Sequence, residues 1–404
     1  MTPRGLPARR AFVVVIDACG VGALPDSDRY GDGGTNTLAH VADAVGGLRL
    51  ENLARLGLGC IVPLRGAPAV AGPVVHGRLH PLGPGKDSTV GHWEMMGVVL
   101  AEAMPTYREG FSADLVDRLE RAMGHPITCN RPYDGVSVLE DYGEEHLRTG
   151  SLILYTSQDS VLQLAAHADR VPVEELYRAC EAARSVMSGP DAVGRVIARP
   201  FLGRPGAFRR REGRRDYSVP PPGRSYLQEL ADRGVSTHAV GKVGELFAGV
   251  GVGYSHPGAT NDQAMASVAT LLEELDEGLV FANLIETDQV YGHRKDVHGF
   301  HHALREIDAQ VGAWLGVMRP DDLLVLTADH GVDPLSAGHD HTREYAPLLA
   351  LTGHELDAVP EPGRPGSPES RRHDGPLADV GATALWWLTG ELSDRLPGCP
   401  FSGL

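Results

Sequence analysis

Histidine and aspartate gather in three short segments of this chain. DQVYGH carries Asp288 and His293 as Asp-x4-His, TADHG sets Asp329 beside His330, and GHDHTREY supplies His341. A further acid, Asp17, ends the apolar run FVVVI. Carboxylate oxygen combined with imidazole nitrogen suits Mn²⁺ or Zn²⁺ better than Ca²⁺. Six such ligands are too many for one tetrahedral ion. They fit two ions about 3.5–4 Å apart, the arrangement that clamps the attacking and leaving oxygens in phosphoryl transfer. A lone Asp–His pair is more often a structural hydrogen bond; it is the combined set that points to metal. His298, His301 and His302 read as surface residues of a loop and helix, and His339 is given no role.

GPGKDSTVGHWEMMG, residues 83–97, is the second segment with chemical content. Glycines and Lys86 lead into Asp87, Ser88 and Thr89, and then a helix start. A hydroxyl at a helix N-terminus feels the positive end of the macrodipole. A bridging metal would lower its pKa further and give an alkoxide nucleophile. Taken alone, Asp-Ser before a helix is only a cap, and Thr89 offers a second hydroxyl. GPGK is not a P-loop, because GxxxxGK[ST] is absent.

These side chains need elements that bring them together. Residues 12–16, 280–285 and 323–327 are short β-rich apolar runs, each ending in acid: Asp17, Glu286 with Asp288, and Asp329. Continuous apolar runs of this length predict strands buried on both faces, as in parallel sheets. The carboxyl ends of such strands are where open α/β sheets bind ligands. Between them, residues 264–275 and 301–317 have helical apolar spacing, the first with Asn261 or Asp262 as N-cap. Residues 380–388 predict a helix packed on the sheet. The middle of the chain differs. It holds a strand-like run at 152–155, a helix at 173–186, an arginine-rich, turn-rich stretch at 199–215, and the hinge-like Pro220-Pro221-Pro222-Gly223. Residues 104–222 therefore read as an inserted second domain, with 1–103 and 223–404 folding together as the core. Residues 360–370 read as an exposed loop, and no internal repeat is present.

Composition narrows the class. The 404 residues are 42% apolar and 22% charged, enough for a large core and too few charges for bulk disorder. Gly (50) and Pro (29) recur without a period, which excludes collagen and predicts many tight loops. A net charge of −16 disfavours a nucleic-acid partner. No run of about 18 apolar residues is present, so no membrane span is expected. The basic start MTPRGLPARR is followed by only six apolar residues before Asp17, short of the roughly 7–15 of a secretory core. Five widely spaced cysteines without CxxC argue against a disulfide framework or zinc–thiolate site, and for a reducing cytoplasm.

The motifs resemble those of the phosphopentomutases, of the alkaline phosphatase superfamily. The match runs through VVVIDACGVGALPDS, GKDSTVGHWE, FANLIETDQVYGHR, LTADHGVDP and DHTREY, with YTSQDSVLQLAAH, ARPFLGRPGAF and RRDYSVPPP in the middle. It covers almost the whole chain in order. The resemblance implies an alkaline-phosphatase-like α/β core with a mostly parallel sheet between helices, an inserted α+β cap domain and two Mn²⁺ ions, with Zn²⁺ or other divalent ions also fitting. It implies interconversion of ribose 1-phosphate and ribose 5-phosphate, or the 2-deoxy pair, with a sugar bisphosphate as priming activator. Carried over by motif, Asp17, Asp329 and His330 would bind one ion, and Asp288, His293 and His341 the other. Ser88 would bridge both and carry the phosphoryl group. Ser157, Asp159 and Arg199 of the cap would hold the sugar phosphate, Lys242 would face the same cleft, and Arg214 is a further contact. Two positions depart from the family pattern. Ser88 stands where threonine is usual, with the same attacking oxygen; related cofactor-independent phosphoglycerate mutases also use serine. Val332 stands where asparagine usually follows DHG, which removes a polar group but no expected ligand.

A protein of charge −16 must reverse sign locally to hold a sugar phosphate. Two divalent ions could do so in the core, and seven arginines from Arg199 to Arg215 in the cap. The competing reading is a phosphatase on the same core, with water as acceptor. A cap that excludes water and retains a bisphosphate separates the two. A non-catalytic metal-binding protein would have to lack the nucleophile or a ligand, and neither is missing.

Overall fold

The structure is a computed structural model that describes residues 8–70, 72, 74–157, 160–338, 340–360 and 371–404. Asp159, His339, the first seven residues and most of the expected loop at 360–370 lie outside the described residues. The chain divides into two compact units, Met1–Glu102 with Pro221–Leu404, and Ala103–Pro220.

The first unit is built on one mixed sheet. Its described strands run in the order Tyr254–His256, Thr237–Val240, Gly278–Leu284, Arg10–Ile16, Asp322–Thr327, Ala346–Thr352, Val75–His80 and Arg371–Arg372, with Gly375–Pro376 also on Val75–His80. The first five are mutually parallel; Ala346–Thr352 runs against both neighbours. RAFVVVI, GLVFANL and DLLVLT are buried at every position, the burial expected of parallel strands covered on both faces. Arg10 closes the end of this group remote from Asp17. Its guanidinium is 1% exposed, pairs with Asp322 at 2.6 and 2.7 Å, and also donates to the Leu272 and Leu275 carbonyls. The partners matter because an unpaired buried charge is costly.

Helix Asn261–Glu274 packs on strand Gly278–Leu284, and helix Asp379–Thr389 on Arg10–Ile16. The cap of the first is Thr260, whose side chain accepts from Gln263 N, rather than Asn261 or Asp262. Asn261 is instead tied to Glu286: its N–H donates to Glu286 Oε2 at 2.8 Å and its Oδ1 accepts from Glu286 N at 3.1 Å. Helix Val297–Leu315 starts before the expected 301, because Asp296 caps it. His298 and His302 are exposed on it, whereas His301 is half-buried and donates from Nε2 to the Leu48 carbonyl.

The second unit has its own mixed sheet, ordered Ile127–Pro132, Leu152–Thr156, Val161–His167, Arg195–Leu202 and Arg209–Arg210, with Arg215–Ser218 also on Arg195–Leu202. Side chains alternate across it with period two. Leu152, Leu154, Leu162 and Leu164 join Leu115, Leu119 and Leu176 in one apolar cluster. Ile153, Tyr155 and Ala165 join Val138, Leu139, Phe201 and Phe208 in another. Helices Ala113–Met123 and Val173–Val186 supply residues to the first cluster, and helix Ser137–Thr149 to the second. The arginine-rich, turn-rich stretch expected from Arg199 begins as strand as far as Leu202, because this strand puts Val196 and Ala198 into the first cluster and Phe201 into the second.

Candidate metal and nucleophile site

Register places the three acids side by side. Ile16 is opposite Leu284, and Val15 opposite Thr327. Asp17 therefore follows directly at the end of its strand, its N–H donating to Leu284 O at 3.1 Å. Thr287 Oγ1 donates back to Asp17 O at 2.6 Å. Ala18 takes a left-handed backbone (φ 65°), which turns its N–H to Asp329 Oδ1 at 3.2 Å. Beyond Leu284 the chain winds through a π-helical turn, Thr287–Gly292, so that His293 N donates to Asp288 O. This turn folds the Asp-x4-His pair onto one face, the kind of local widening found at functional sites.

The six side chains form two sets. Asp17, Asp329 and His330 present ligand atoms within 4.8 Å of one another, and so do Asp288, His293 and His341. The sets adjoin through imidazole rings, His330 to His341 at 4.1 Å and His341 to His293 at 4.9 Å between centroids. Three buried carboxylate oxygens, Asp17 Oδ1, Asp288 Oδ1 and Asp329 Oδ2, have no hydrogen-bond partner. His330 Nδ1 lies 3.2 Å from the Gly331 carbonyl, to which it can only donate. Its Nε2 lone pair then points at Asp17 Oδ1 (3.4 Å) and Asp329 Oδ2 (3.3 Å). An acceptor facing two buried acceptors is repulsive unless a proton or a metal cation sits among them. The donor set therefore fits divalent metal.

The electrostatics agree. Burial, and then the charges of Asp329 and Asp288, push the Asp17 carboxyl well up. Burial opposes ionisation of Asp288 and Asp329 too, but nearby histidines outweigh it. Asp288 is held well below the usual carboxylate range by His341, His293 and His330, and Asp329 is held at about 2 by His330 and His92. Burial pushes His330 down, towards the neutral ring a metal ligand needs.

Ser88 is the first residue of helix Ser88–Met95, with Asp87 as its cap accepting from Val90 N. Ser88 Oγ is 3.0 Å from His330 Nε2. Thr89 is 5% exposed. The helix can approach this closely because residue 91 is glycine: a Cβ there would lie 2.5 Å from the Asp329 carbonyl oxygen and 2.9 Å from Asp329 Cβ.

Three supporting residues escaped sequence reasoning. His92 is fully buried. Its Nδ1 donates to Ser88 O at 2.8 Å and lies 3.2 Å from Asp329 Oδ2. Asn283 Nδ2 donates both to His92 Nε2 (2.9 Å) and to Asp17 Oδ2 (3.0 Å). One network thus holds the hydroxyl-bearing turn and both acids. The signal was present: a histidine four residues after Ser88, and the one polar residue in an otherwise apolar strand. Glu344 is a third: buried, it accepts from Thr37, Thr342 and Gly22 and braces the loop that carries His341. Val332 is buried, its N–H donating to Ala18 O.

Lys242 is in the same unit. Its Nζ donates to Gln289 Oε1 at 3.2 Å, and its charge favours ionised Asp17. The other expected contacts belong to the second unit. Arg199 lies on strand Arg195–Leu202, where Nε donates to Gln163 Oε1 at 2.7 Å and burial lowers its pKa from the usual value. Arg214 forms a two-pronged pair with Asp216 at 2.7 and 2.8 Å. Ser157 follows strand Leu152–Thr156, and its carbonyl accepts from Thr156 Oγ1.

The family model of the metalloenzyme superfamily matches residues 9–390. A phosphopentomutase of Carboxydothermus hydrogenoformans is 44% identical over 349 residues, 86% of this chain and 90% of that protein. One from Anaeromyxobacter sp. (strain K) is 44% identical over 388 residues, covering 96% and 97%. A solved phosphoglycerate mutase from Leishmania mexicana superposes with a TM-score of 0.44 at 14% identity, over 98% of both chains. At that level it adds no weight to the assignment. The two matches cover 86% and 96% of the chain, more than either compact unit alone. The chain belongs to the phosphopentomutase family of the metalloenzyme superfamily.

Proposed function

We propose that the protein interconverts ribose 1-phosphate and ribose 5-phosphate, and the 2-deoxyribose pair, through a phosphorylated Ser88. The observation that carries this reading is the hydroxyl at a helix N-terminus, 3.0 Å from His330 Nε2, beside three buried carboxylate oxygens without partners. Asp17, Asp329 and His330 would hold one divalent ion and Asp288, His293 and His341 the other, Mn²⁺ being our choice for this donor set and Zn²⁺ the rival. When bound, such ions supply positive charge that favours ionised Ser88 and offsets the charge of the phosphoryl group.

The residues themselves divide the remaining work. Helix Ser88–Met95 directs its free N–H groups towards the phosphoryl oxygens. Phosphoserine gives its group to the substrate's free hydroxyl: the Ser88 Oγ–P bond breaks as the new P–O bond forms, and the hydroxyl proton is balanced by the freed Ser88 oxygen until the second transfer returns it to the sugar oxygen. The sugar bisphosphate turns round and returns its other phosphoryl group to Ser88 Oγ, so nothing is consumed. Ser157, Asp159, Arg199 and Arg214, with Lys242, would hold the sugar phosphate and keep the bisphosphate from water. A catalytic amount of sugar bisphosphate primes enzyme that has lost its phosphate. We further place the protein in the cytoplasm: Cys19, Cys60, Cys129, Cys180 and Cys399 are all free thiols. Among the described residues no helix is long and apolar enough to cross a membrane.

The test is a coupled assay on ribose 1-phosphate with Mn²⁺. Ribose 5-phosphate should form as fast as substrate disappears. Stoichiometric free phosphate in its place would make water the acceptor and the protein a phosphatase.

A further inference from the structure

The turn before Ser88 is held from outside at consecutive residues, and the holder comes from the loop that carries His341. Arg343, two residues beyond His341, is 5% exposed. Its Nη1 donates to the Gly85 carbonyl at 2.6 Å. Its Nε and Nη2 donate to the Asp26 carboxylate at 3.0–3.3 Å. The guanidinium lies over the Tyr30 ring, 5.0 Å from its centroid. Tyr30 in turn donates its hydroxyl proton to Pro84 O at 2.8 Å. Asp32 Oδ2 accepts from Arg343 N at 2.9 Å and from Lys86 Nζ at 2.8 Å. From the other side, Glu94 accepts from Gly83 N at 2.9 Å. Gly83, Pro84, Gly85 and Lys86 are thus each fixed by a named partner, immediately ahead of Asp87 and Ser88.

We propose that Arg343 is a positioning residue for the transfer: with Asp26, Tyr30 and Asp32 it locks the turn bearing Ser88 to the loop bearing His341. This rests on the reading of Ser88 as the phosphoryl carrier. None of the four residues is placed on the metals or substrate. Their effect is geometric, and it is large because an attacking oxygen displaced by about 1 Å costs roughly 100-fold. Planarity matters too. A guanidinium can serve Gly85 O and the Asp26 carboxylate at once, whereas a lysine ammonium is a single point on a flexible stem.

Four variants of the whole chain test this: Arg343→Met, Arg343→Lys, Asp26→Asn and Tyr30→Phe. Measured are kcat and KM for ribose 1-phosphate, bound metal per chain, Tm, and the rate at which sugar bisphosphate phosphorylates Ser88, followed by protein mass. Arg343→Met should lower kcat and the Ser88 phosphorylation rate together, by about 10–100-fold. KM should stay within about twofold of the parent, with bound metal unchanged. Arg343→Lys should recover part of the loss. Tyr30→Phe removes only the bond to Pro84 O, so its Tm should be near parental while kcat falls several-fold. If Arg343→Met does not fold, Asp26→Asn and Tyr30→Phe decide. Parental kcat in both overturns the proposal, as does an Arg343→Met whose kcat returns fully with excess metal. A parent that is itself inactive on ribose 1-phosphate would instead overturn the functional reading.

Discussion

Two hydroxyls compete for the role of phosphoryl carrier, and their surroundings differ. Ser88 Oγ is 3.0 Å from His330 Nε2, while Thr89 is turned into the packed side of its helix. Mass spectrometry of bisphosphate-treated enzyme should find one phosphoryl group, on Ser88. Ser88→Ala should be inactive, since alanine has no oxygen to accept it. Ser88→Thr should retain measurable activity, because only a methyl is added beside the attacking atom. Phosphate on Thr89, or normal turnover by Ser88→Ala, would remove Ser88 from the mechanism. Arg199 carries a second prediction. If it holds the sugar phosphate, Arg199→Ala loses one charge-assisted contact, about 1.5–3 kcal/mol, or roughly 10–150-fold in kcat/KM. Bound metal should not change, because Arg199 belongs to the other compact unit. An unchanged kcat/KM would place it outside the site.

Elements set how closely these residues approach, and their legibility in the sequence varied for physical reasons. The three acid-ended strands were legible because strands buried on both faces read as unbroken apolar runs. The helix start at Ser88 was legible from Gly, Asp and Ser, but the choice of Ser88 over Thr89 rested on the family resemblance. His92 and Asn283 were not: one histidine in a helix, or one asparagine in a strand, has many structural uses, and only register brings these two to 2.9 Å. Glu286 shows the converse. It sits at a strand end like Asp288, yet the chain turns its carboxylate to Asn261. Gly91 gives the third prediction. Alanine favours helix by about 1 kcal/mol over glycine, but its Cβ would meet the Asp329 carbonyl oxygen at 2.5 Å. Gly91→Ala should therefore lose about 1–3 kcal/mol of stability by overpacking, and kcat with it as the helix moves away from His330. A variant of raised Tm and unchanged kcat would show that the approach is not needed. The fourth concerns helix Ser137–Thr149. His146 is buried. Its Nδ1 donates to Ser151 O at 2.7 Å, and its Nε2 accepts from His167 N at 2.9 Å. Burial, then the charges of His167 and Arg170, lowers its pKa. The unfolded chain takes up this proton near the ordinary value and the folded chain does not. Stability is thus full above about pH 6.5 and falls below it, by at most about 1.4 kcal/mol per pH unit. His146→Gln should show a lower Tm at pH 7.5 but a flatter decline towards pH 5.5. An equally steep decline would exonerate His146.

On the scale of the molecule, the six candidate ligands come from widely separated parts of the chain yet meet beyond the carboxyl ends of neighbouring central strands of one sheet. Divalent metal should therefore bind the folded state alone. Free metal at 100 times its dissociation constant would add about 2.7 kcal/mol of stability. The fifth prediction is that exhaustive chelation abolishes turnover and lowers Tm, and that Mn²⁺ restores both. His341→Ala should remain folded and nearly inactive, with a smaller metal-induced rise in Tm. Full activity in metal-free enzyme, confirmed by elemental analysis, would exclude the dinuclear site. The same scatter of ligands governs when the site can first exist. Asp17 leaves the ribosome early, but its set is incomplete until Asp329 and His330 follow, and the second set waits for His341. At about 5–20 residues per second, some 324 further residues take roughly 15–65 s. Until His330 has been made, the growing chain has no complete set to offer. Metal capture by both sets is therefore a late event that waits for His341.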